Sequence, residues 1–377
     1  MTRIGFAYNQ KPDPADTASH AAEAERADEE PPSTGGALAT LPAPSPASAA
    51  DDDEYAEWDS VETIDAVERA LAHHGEVIRL EATDDFPQQL RASRPDIVFN
   101  IAEGLRGPNR EAHVPAICEF YGVPYSGSDP FSLALCLDKA RTKEVLRAHQ
   151  VPTADWFVIR SPAQLDAPRL ATLSFPLFAK PVHEGSSKGI TERNFARTPA
   201  ALVDVVRELL ERYQQPVIVE AFLPGAEFTC GVLGNGGSAR VLPIVGIDFG
   251  ALPPGALPIY GFEAKWLWDR PERPLQIFQC PAPVPVAVRD EITEVVRRAF
   301  DALGCRDWAR IDVRLDAAGR ANVVEVNPLP GILPDPADNS CLPKAARAAG
   351  LDYDALIGAC LQAAADRQGV RLGGRRS

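Results

Sequence analysis

The sequence predicts an α/β fold with a parallel sheet in its first part and an α+β arrangement after it. Strand-like and helix-like segments alternate regularly from residue 3 to about residue 140, which is typical of βαβ units. Beyond residue 140 this alternation gives way to a mixed order of strands and helices. The chain then reaches a hairpin that carries several polar residues on one predicted face. We therefore expect a domain boundary near residue 140.

The first part contains the elements of a parallel sheet. Residues 3–8 predict a first strand, and residues 61–74 predict a helix because apolar side chains recur there at helical spacing. Gly75 ends that helix, and residues 76–80 predict the next strand. A further strand is predicted at residues 95–101, after another helix. The pattern indicates strands that run in the same direction with helices between them.

A low-complexity segment at about residues 10–54 interrupts this pattern. It is rich in Ala, Pro, Ser, Asp and Glu and has almost no large apolar side chains. Residues 1–60 carry 13 acidic and three basic side chains, so they account for ten of the 15 net negative charges. Such a composition buries too little surface to offset the entropy of ordering, so we expect a disordered insertion after the first strand.

The second part combines helices and strands in a mixed order. Helices are predicted at residues 138–148 and 290–303. Strands are predicted at residues 175–181 and 216–220, where apolar residues cluster between turn-forming residues. The second of the two helices leads into the predicted hairpin. These segments fit an α+β region better than a continuation of the parallel sheet.

Composition excludes several classes of function. The seven cysteines are scattered without a Cys-X-X-Cys pair, so neither a disulfide framework nor a zinc site is indicated, and a reducing cytoplasm is expected. No apolar run approaches the length of a membrane span, and no signal peptide is recognised. Because no basic stripe with interleaved aromatic residues occurs, we expect neither nucleic-acid nor membrane partners. The sequence leaves the oligomeric state open, a homodimer included.

The hairpin carries the most informative pattern in the chain. Arg310-Ile311-Asp312 and Glu325-Val326-Asn327 each place polar residues two apart, so in extended strands they point to one face. The Asp-Ala-Ala-Gly centre between the triplets predicts a turn. Carboxylate and amide oxygens are the ligands that Mg²⁺ prefers, with substrate phosphates and water completing its octahedron. Alone, the same pattern also fits a hairpin with a solvated polar face.

A second pattern lies upstream, where a predicted strand ends near Lys180 and a glycine- and serine-rich loop follows at residues 183–190. Loops of this kind expose backbone N–H groups to an anion, and a lysine adds a point charge for phosphate. An ordinary turn is the alternative. The loop matches neither a Walker A motif nor G-x-G-x-x-G, which argues against P-loop kinases and Rossmann dinucleotide binding.

A third pattern is an apolar strand that ends in Glu220 and leads through a Pro-Gly turn to Glu227. Such a strand end can pair its backbone with an adenine edge, and an acid can accept from a base amine or a ribose hydroxyl. Lys139, Lys180, the Gly-Ser loop, Glu220, Glu227 and the hairpin follow one another in this order along the chain. Coincidence is a poor explanation of that order.

These residues resemble the ATP-grasp superfamily, and most closely its D-alanine:D-alanine ligase family. The resemblance runs from about residue 95 to residue 361. It is carried by Val98-Phe99-Asn100, Gly122-Val123-Pro124-Tyr125-Ser126-Gly127-Ser128, Leu137-Asp138-Lys139, Lys180-Pro181, Glu184-Gly185-Ser186-Ser187, Glu227-Phe228-Thr229, Glu263-Ala264-Lys265, Arg310-Ile311-Asp312 and Glu325-Val326-Asn327.

The resemblance implies a parallel α/β domain of the pre-ATP-grasp type, followed by a two-lobed ATP-grasp fold that clasps ATP. The corresponding bounds are residues 1–140 for the N-terminal domain, 141–230 for the central lid and 231–366 for the C-terminal lobe. Residues 367–377 are expected to form a flexible tail.

The resemblance also implies roles for individual residues. The expected ATP-binding residues are Lys139, Lys180, Glu220, Ala221, Leu223 and Glu227. The expected ligands of two Mg²⁺ (or Mn²⁺) ions are Asp312, Glu325 and Asn327. The expected catalytic residues are Ser186, Lys265, Arg310 and Gly331. In this scheme Lys265 meets the transferring phosphate, and Arg310 with the Gly331 backbone N–H stabilises the tetrahedral oxyanion.

The implied reaction joins a carboxylate to an amine. A substrate carboxylate attacks the γ-phosphoryl group of ATP, and the amine of a second amino acid or peptide then adds to the acyl phosphate. The products are an amide, ADP and phosphate.

The departures from the family pattern lie on the amino-acid side. Glu103 stands where the family usually has histidine, Trp266 stands where tyrosine is usual, and Phe262 replaces another tyrosine. Residues 327–332 depart from the usual Asn-Thr-Ser-Pro-Gly pattern. The family's Gly-Ser-Glu segment, which helps to hold the first amino acid, has no recognisable counterpart after residue 10.

These departures lead to a hypothesis with two alternatives. Because the ATP side matches and the amino-acid side does not, we expect an ATP-dependent ligase with altered amino-acid specificity, for which Glu103 and Trp266 are the candidate substrate residues. The first alternative is a ligase that still joins D-alanine to D-alanine in peptidoglycan precursor synthesis. The second is a nucleotide-binding regulatory protein that has lost catalysis, and the retained charged residues oppose it.

Overall fold

A computed structural model of the 377-residue chain describes residues 1–12, 55, 57–185, 187–261, 264, 268 and 275–373. Its strands belong to three sheets. Of the helices that the structure describes, none combines the length and the apolar character needed to span a bilayer. The predicted disorder of residues 10–54 lies almost wholly outside the described residues.

The N-terminal sheet is parallel and has the strand order β2-β1-β3. Its strands are β1 (Arg3–Tyr8), β2 (Glu76–Glu81) and β3 (Ile97–Asn100). The helices of this region are α1 (Val61–Ala72), α2 (Phe86–Ser93), α3 (His113–Tyr121) and α4 (Pro130–Leu137). Both faces of β1 are buried, as expected for a parallel sheet that is covered by helices on each side.

The second sheet is antiparallel and has the order β4-β7-β5-β6. Its strands are β4 (Trp156–Ile159), β5 (Leu177–Pro181), β6 (Phe195–Ala196) and β7 (Val217–Ala221). Helix α5 (Lys139–Ala148) leads into this sheet, and α6 (Ala167–Leu170) and α7 (Pro199–Tyr213) follow within it. The apolar stripe of α7, which includes Leu202, Val206 and Leu209, packs on the sheet and forms a core of its own.

The third sheet is antiparallel along the path β11-β10-β8-β12-β13, with β9 paired to β8. Its strands are β8 (Glu227–Leu233), β9 (Arg240–Val241), β10 (Val245–Ile247), β11 (Phe278–Gln279), β12 (Trp308–Leu315) and β13 (Ala321–Asn327). Helix α8 (Val286–Ala302) covers one face of this sheet through Ile292, Val296 and Phe300. The opposite face is therefore the one that can carry polar site residues.

The two terminal parts of the chain share one core. The last helices, α9 (Cys341–Ala348) and α10 (Tyr353–Gln368), return to the N-terminal region, where α10 packs against α1. Ile64 and Leu71 of α1 meet Ile357 and Leu361 of α10 in this core. The N-terminal sheet is thereby fixed to the lobe that carries the hairpin.

The two ends of the long insertion lie side by side. Gln10 and Asp59 form a parallel bridge, in which the Lys11 N–H donates to the Asp59 carbonyl at 2.9 Å and the Asp59 N–H donates to the Asn9 carbonyl at 3.0 Å. The two sides of the predicted insertion are therefore neighbours in space, directly before α1.

Most predicted elements are confirmed, and the differences lie at their ends. The helix predicted at residues 61–74 ends at Ala72, and the helix predicted at 138–148 begins at Lys139 because Asp138 is its N-cap. The helix predicted at 290–303 begins four residues earlier, at Val286, directly after a proline-rich stretch. The predicted domain bounds at residues 140, 230 and 366 stay predictions.

Asp307 joins three parts of the fold and carries the first testable prediction. It is fully buried and accepts from the Gly127 N–H at 2.8 Å, from Asn235 Nδ2 at 2.7 Å and from Arg367 Nη2 at 2.8 Å. Because Asp307→Ala leaves these donors buried and unpaired, we expect it to lower the free energy of unfolding by about 3–5 kcal/mol. Urea unfolding followed by circular dichroism measures this loss.

The matched control is Asp366→Ala, which removes an exposed aspartate from the same helix as Arg367. We expect this change to stay within about 0.5 kcal/mol of the parent chain. Equal stability of the Asp307→Ala and Asp366→Ala variants would contradict the structural role of Asp307.

Candidate active site

A cavity of about 410 Å³ lies where the three sheets meet. We call it the main cavity. The antiparallel sheet of β4–β7 and the Gly-Ser loop form one side, and the face of the third sheet that α8 leaves uncovered forms another. The third wall comes from the N-terminal region. Nearly all of the predicted site residues that the structure describes lie along this one space.

The hairpin of β12 and β13 provides one polar wall. Arg310 pairs with Asn327 and Asp312 pairs with Glu325 across the two strands, so all four side chains share the face that looks into the cavity. The pairing register of β12 and β13 shifts by one residue between Asp312 and Val313, and Val324 is the extra residue. Because a β-bulge absorbs one extra residue, Val323 returns to the core on the opposite face while Glu325 stays on the cavity face.

Arg310 and Asp312 form an ion pair within this wall. Arg310 Nε and Nη2 donate to the two carboxylate oxygens of Asp312 at 3.2 and 3.1 Å. Burial would lower the pKa of Arg310, but Asp312 and nearby Glu325 raise it above its usual value. The guanidinium is thus a permanent positive charge at the centre of the cavity, beside the predicted metal ligands.

Buried lysines face the hairpin from the antiparallel sheet and from α5. Glu220 Oε1 lies 2.6 Å from Lys143 Nζ, and Glu220 Oε2 lies 2.8 Å from Lys180 Nζ. All three side chains are almost fully buried. Burial would raise the pKa of Glu220, but the two lysines lower it to about 2. Glu220 therefore stays ionised, and it holds both ammonium groups in fixed positions.

Lys139 links α5 to the hairpin. Its Nζ lies 2.8 Å from Glu325 Oε1 and also donates to the carbonyl of Glu184 in the Gly-Ser loop. Burial would raise the pKa of Glu325, but Lys139 and Lys180 lower it to about 2. The predicted phosphate-binding residue Lys139 and the predicted metal ligand Glu325 are therefore in direct contact.

Glu227 lies on the same cavity face, next to Arg314. Arg314 Nη1 donates to Glu227 Oε2 at 2.7 Å, and Nη2 donates to the Pro258 carbonyl at 2.9 Å. Burial raises the pKa of Glu227 and lowers that of Arg314, so it works against the charge on both partners. The contact between them offsets part of this effect of burial on each partner.

The donor set of the hairpin fits a hard divalent cation. Asp312, Glu325 and Asn327 offer two carboxylates and one amide, and Mg²⁺ takes its remaining ligands from phosphates and water. Thr229 is paired across the strands with Asp312, and its buried hydroxyl has no hydrogen-bond partner among the residues that the structure describes. Among the described residues no group of three or more His, Cys, Asp or Glu side chains is arranged to hold a metal without such outside ligands.

The wall from the N-terminal region is acidic. Glu103 and Glu111 line the cavity, and burial, followed by the carboxylates of Glu111, Glu57 and Asp59, raises the pKa of Glu103 well above its usual value. Burial, and secondly Glu57, raises the pKa of Glu111 to about 8. Burial raises the pKa of Asp59 to about 7. This wall is therefore a place where a positively charged ligand group is favoured.

Glu57 follows the predicted insertion in the sequence, and its side chain lines the main cavity. Its carboxylate lies 2.8 Å from Arg110 Nη2 and 3.3 Å from Lys188 Nζ of the Gly-Ser loop. Arg110 Nη1 also donates to the His183 carbonyl at 3.1 Å. The carboxylate side chain is only 7% exposed. Glu57 thus joins the N-terminal region to the Gly-Ser loop.

The described cavity brings together most of the residues that the sequence predicted. Its lining includes Lys139, Lys180, Glu220, Ala221, Leu223, Glu227, Arg310, Asp312, Glu325, Asn327, Gly331 and Glu103. Ser186, Lys265 and Trp266, like Phe262, lie outside the described residues. Their expected positions stay predictions.

Sequence reasoning missed several charged residues that line the cavity, among them Glu57, Glu111, Lys143 and Arg314. Two of them had a usable signal. Lys143 lies four residues after Lys139 on one helix, and Arg314 lies two residues after Asp312 on one strand, so each shares a face with a predicted residue. Glu57 had no such signal because the insertion separates it from β1.

Comparison with known proteins identifies the family. The sequence model described as "D-ala D-ala ligase C-terminus" matches residues 145–362, which is more than half of the chain. The chain belongs to the D-alanine–D-alanine ligase family. It is therefore an ADP-forming ligase of the ATP-grasp superfamily.

Individual relatives agree with this family. The D-alanine–D-alanine ligase of Ectopseudomonas mendocina (strain ymp) is 34% identical over 311 residues, which cover 82% of this chain and 91% of the relative. The uncharacterized protein y4sG of Sinorhizobium fredii (strain NBRC 101917 / NGR234) is 34% identical over 279 residues, which cover 74% of this chain and 77% of that protein.

A solved structure shows the same fold. The crystal structure of D-alanine–D-alanine ligase from Bacillus anthracis complexed with ATP superimposes with a TM-score of 0.67 and covers 98% of this chain and 99% of its own. The sequences are 20% identical. The predicted fold class, an N-terminal parallel α/β region followed by an ATP-grasp fold, is confirmed.

Glu220 gives a prediction for the pH dependence of stability. Its folded-state pKa of about 2 lies below the ordinary glutamate value of 4.5. Glu220 therefore contributes to the free energy of unfolding above pH 4.5, and this contribution is lost as the pH falls towards 2. Between about pH 5 and about pH 3, the free energy of unfolding of the parent chain should fall by about 2 kcal/mol more than that of Glu220→Gln. Urea unfolding at several pH values measures both slopes.

The control is Glu211→Gln, an exposed glutamate on α7, which should follow the pH dependence of the parent chain. Parallel curves for Glu220→Gln and the parent would show that the two lysines do not hold this carboxylate.

Proposed function

We propose that the chain forms a peptide bond between two amino acids at the expense of ATP, and that D-alanine serves as donor and acceptor. The observation that carries this proposal is the single cavity in which buried lysines face the arginine and carboxylates of the hairpin. The relatives named D-alanine–D-alanine ligase support the choice of amino acid. The proposed product is a dipeptide, with ADP and phosphate released.

ATP is proposed to lie between the antiparallel sheet and the hairpin. Lys139 and Lys180 would bind its phosphates, and the Gly-Ser loop with Ser186 would offer N–H groups to them. Glu220, Ala221 and Leu223 would contact adenine at the end of β7, and Glu227 would accept from a ribose hydroxyl. The anionic phosphates then replace part of the negative charge that Glu220 and Glu325 now supply to the lysines.

The first step is phosphoryl transfer to the carboxylate of the donor amino acid. A carboxylate oxygen forms a bond to the γ-phosphorus while the bond to the β,γ-bridging oxygen breaks, which yields an acyl phosphate and ADP. Mg²⁺ bound to Asp312, Glu325 and Asn327 would neutralise charge on the phosphates. Lys265 is proposed to contact the phosphate in transfer.

The second step is attack by the acceptor amine on the acyl carbon. The neutral amine adds to the carbonyl, and the negative charge moves to the carbonyl oxygen. Arg310 and the Gly331 backbone N–H are proposed to stabilise this oxyanion. Collapse expels phosphate, and the amine nitrogen gives up its proton to leave a neutral amide.

The reaction is tested by ADP release from Mg-ATP in the presence and absence of D-alanine, with the dipeptide identified by mass. We expect D-alanine to be required for ADP release. Arg310→Lys should lower the rate by about 100- to 1000-fold, because it removes the planar donor that faces the oxyanion.

The control for this change is Arg320→Lys, an exposed arginine in the turn of the same hairpin, which should retain the parent rate. ADP release that does not depend on any amino acid, or equal rates for the two variants, would overturn the proposed reaction.

A second candidate is a ligase of the same reaction type with altered amino-acid specificity. The observation that favours it is the acidic wall, in which Glu103 stands where the family usually has histidine. A carboxylate beside Glu111 and Asp59 favours a ligand with more positive charge than D-alanine offers there. Trp266, which replaces the usual tyrosine, belongs to the same proposal.

Glu103→His separates the two candidates. If specificity is altered, this change should raise kcat/KM for D-alanine, by about tenfold for about 1.4 kcal/mol of improved fit. If the parent chain already uses D-alanine well, the same change should lower the rate. Steady-state ADP release at varied D-alanine concentration distinguishes these outcomes.

A further inference from the structure

Lys143 is a buried charge that the proposed reaction does not use. It lies on α5, one turn after Lys139, and its side chain is only 2% exposed. Burial lowers the pKa of Lys143, and Glu220 opposes this effect. Because a buried ammonium group is stable only where acceptors satisfy its N–H donors, the partners of Lys143 indicate what it is held for.

Two acceptors hold the ammonium group of Lys143. Glu220 Oε1, on β7, lies 2.6 Å from Nζ, and Nζ donates to Thr153 Oγ1 at 2.6 Å. The Thr153 hydroxyl donates in turn to the Val323 carbonyl of β13 at 2.8 Å. The Val323 N–H donates to the Pro152 carbonyl at 2.8 Å, so a β-bridge fixes Thr153 to the hairpin. A chain of polar contacts therefore runs from Glu220 through Lys143 to the hairpin.

This chain of contacts connects the two walls between which ATP is proposed to lie. Glu220 is on the adenine side, and Val323 lies two residues before the predicted metal ligand Glu325, next to the bulge. The Trp156 ring, whose centroid is 5.8 Å from Lys143 Nζ, adds a favourable face for the positive charge. The position of the Lys143 ammonium group is thus set from both walls.

Lys180 holds the same carboxylate in a different way. Its Nζ lies 2.8 Å from Glu220 Oε2, and β5 leads directly into the Gly-Ser loop. In the proposed reaction this ammonium group binds a phosphate of ATP, which weakens its contact with Glu220. Lys143 contacts the other carboxylate oxygen and is tied to Thr153, so it is the partner that keeps Glu220 ionised and oriented when the nucleotide is bound.

We propose that Lys143 is a positioning residue that, through Glu220, makes the site select a purine with an amine at C6. A carboxylate accepts from the amine of adenine, whereas the C6 carbonyl of hypoxanthine is itself an acceptor and repels the carboxylate. The proposal rests on the ligase reaction and the adenine contact proposed above. It extends them to a residue that acts on the base only through Glu220.

Inosine triphosphate is the probe, because it differs from ATP only on this edge of the base. The full chain is supplied with D-alanine, Mg²⁺ and either nucleotide, and phosphate release gives kcat and KM for each. We expect kcat/KM for ATP to exceed that for inosine triphosphate by about tenfold or more in the parent chain, because a hydrogen bond to a charged acceptor is replaced by a repulsive contact.

Lys143→Met tests the role of the ammonium group. We expect it to bring the ATP-to-inosine-triphosphate ratio of kcat/KM towards one and to raise KM for ATP by about tenfold, while kcat at saturating ATP stays within about threefold of the parent value. Because the ratio is measured within each variant, a loss of folded protein cancels. The control is Arg141→Met, which removes an exposed cation from the same helix and should keep the parent ratio.

Thr153 tests the same chain of contacts without removal of a buried charge. Thr153→Val deletes the hydroxyl and nearly keeps the shape of the side chain, so the ratio should fall by about threefold. Thr153→Ser retains the hydroxyl and should keep the parent ratio. A lysine that served stability alone would change the yield of folded protein in these variants and leave the ratio unchanged.

Two outcomes would overturn the proposal: a ratio near one in the parent chain, or a parent-like ratio in folded Lys143→Met. If Lys143→Met does not fold, a parent-like ratio in Thr153→Val overturns it instead. Failure of the ligase reaction is recognised separately, as an absence of phosphate release with D-alanine and either nucleotide. In that case calorimetric titration of the full chain with Mg-ATP and with Mg-inosine triphosphate measures the ratio of affinities, and equal affinities reject the proposal.

Discussion

The main cavity depends on one constraint, which is that a charged group removed from water needs a partner of opposite charge. Lys143 and Lys180 are buried because Glu220 lies between them, and Lys139 is buried because Glu325 reaches it from the hairpin. The two members of each pair come from different elements, so these ion pairs fix the elements relative to one another. The residues that would bind ATP are therefore also residues that hold the cleft together.

The same pairing explains how a nucleotide fits a site that is already neutral. Phosphate oxygens and a divalent cation bring both signs of charge, so the lysines can exchange carboxylate partners for phosphates while the carboxylates gain a metal. The buried Thr229 hydroxyl and the Arg314 Nε, both without a hydrogen-bond partner among the described residues, are the groups that such an exchange would satisfy.

The polar hairpin face of the main cavity could be predicted from the sequence because short-range geometry determines it. Arg310 and Asp312 share a face, as do Glu325 and Asn327, because the two members of each pair lie two residues apart on a strand. The bulge at Val324 was not predictable from that alternation, although it keeps Glu325 and Val323 on opposite faces. The strand and helix assignments succeeded for the same reason, since periodicity reports which face is buried.

The amino-acid side could not be predicted because it depends on contacts distant in sequence. Glu57 meets Lys188 across more than a hundred residues, and Arg110 of the loop after β3 meets the His183 carbonyl of the Gly-Ser loop only in the folded chain. No spacing rule links such residues. The observed helix ends at Ala72 and Val286 differ from the predicted ones for a local reason, because capping and proline chemistry decide where a helix starts and stops.

The bridge between Gln10 and Asp59 has a consequence for how this fold can vary. Because Gln10 and Asp59 are hydrogen-bonded neighbours, the position of Glu57 is set by this bridge and not by how many residues separate its two sides in the sequence. A change in the number of residues between them is therefore compatible with an unchanged bridge. Chains of this family can thus differ in length between residues 10 and 59 while Glu57 keeps its contacts with Arg110 and Lys188.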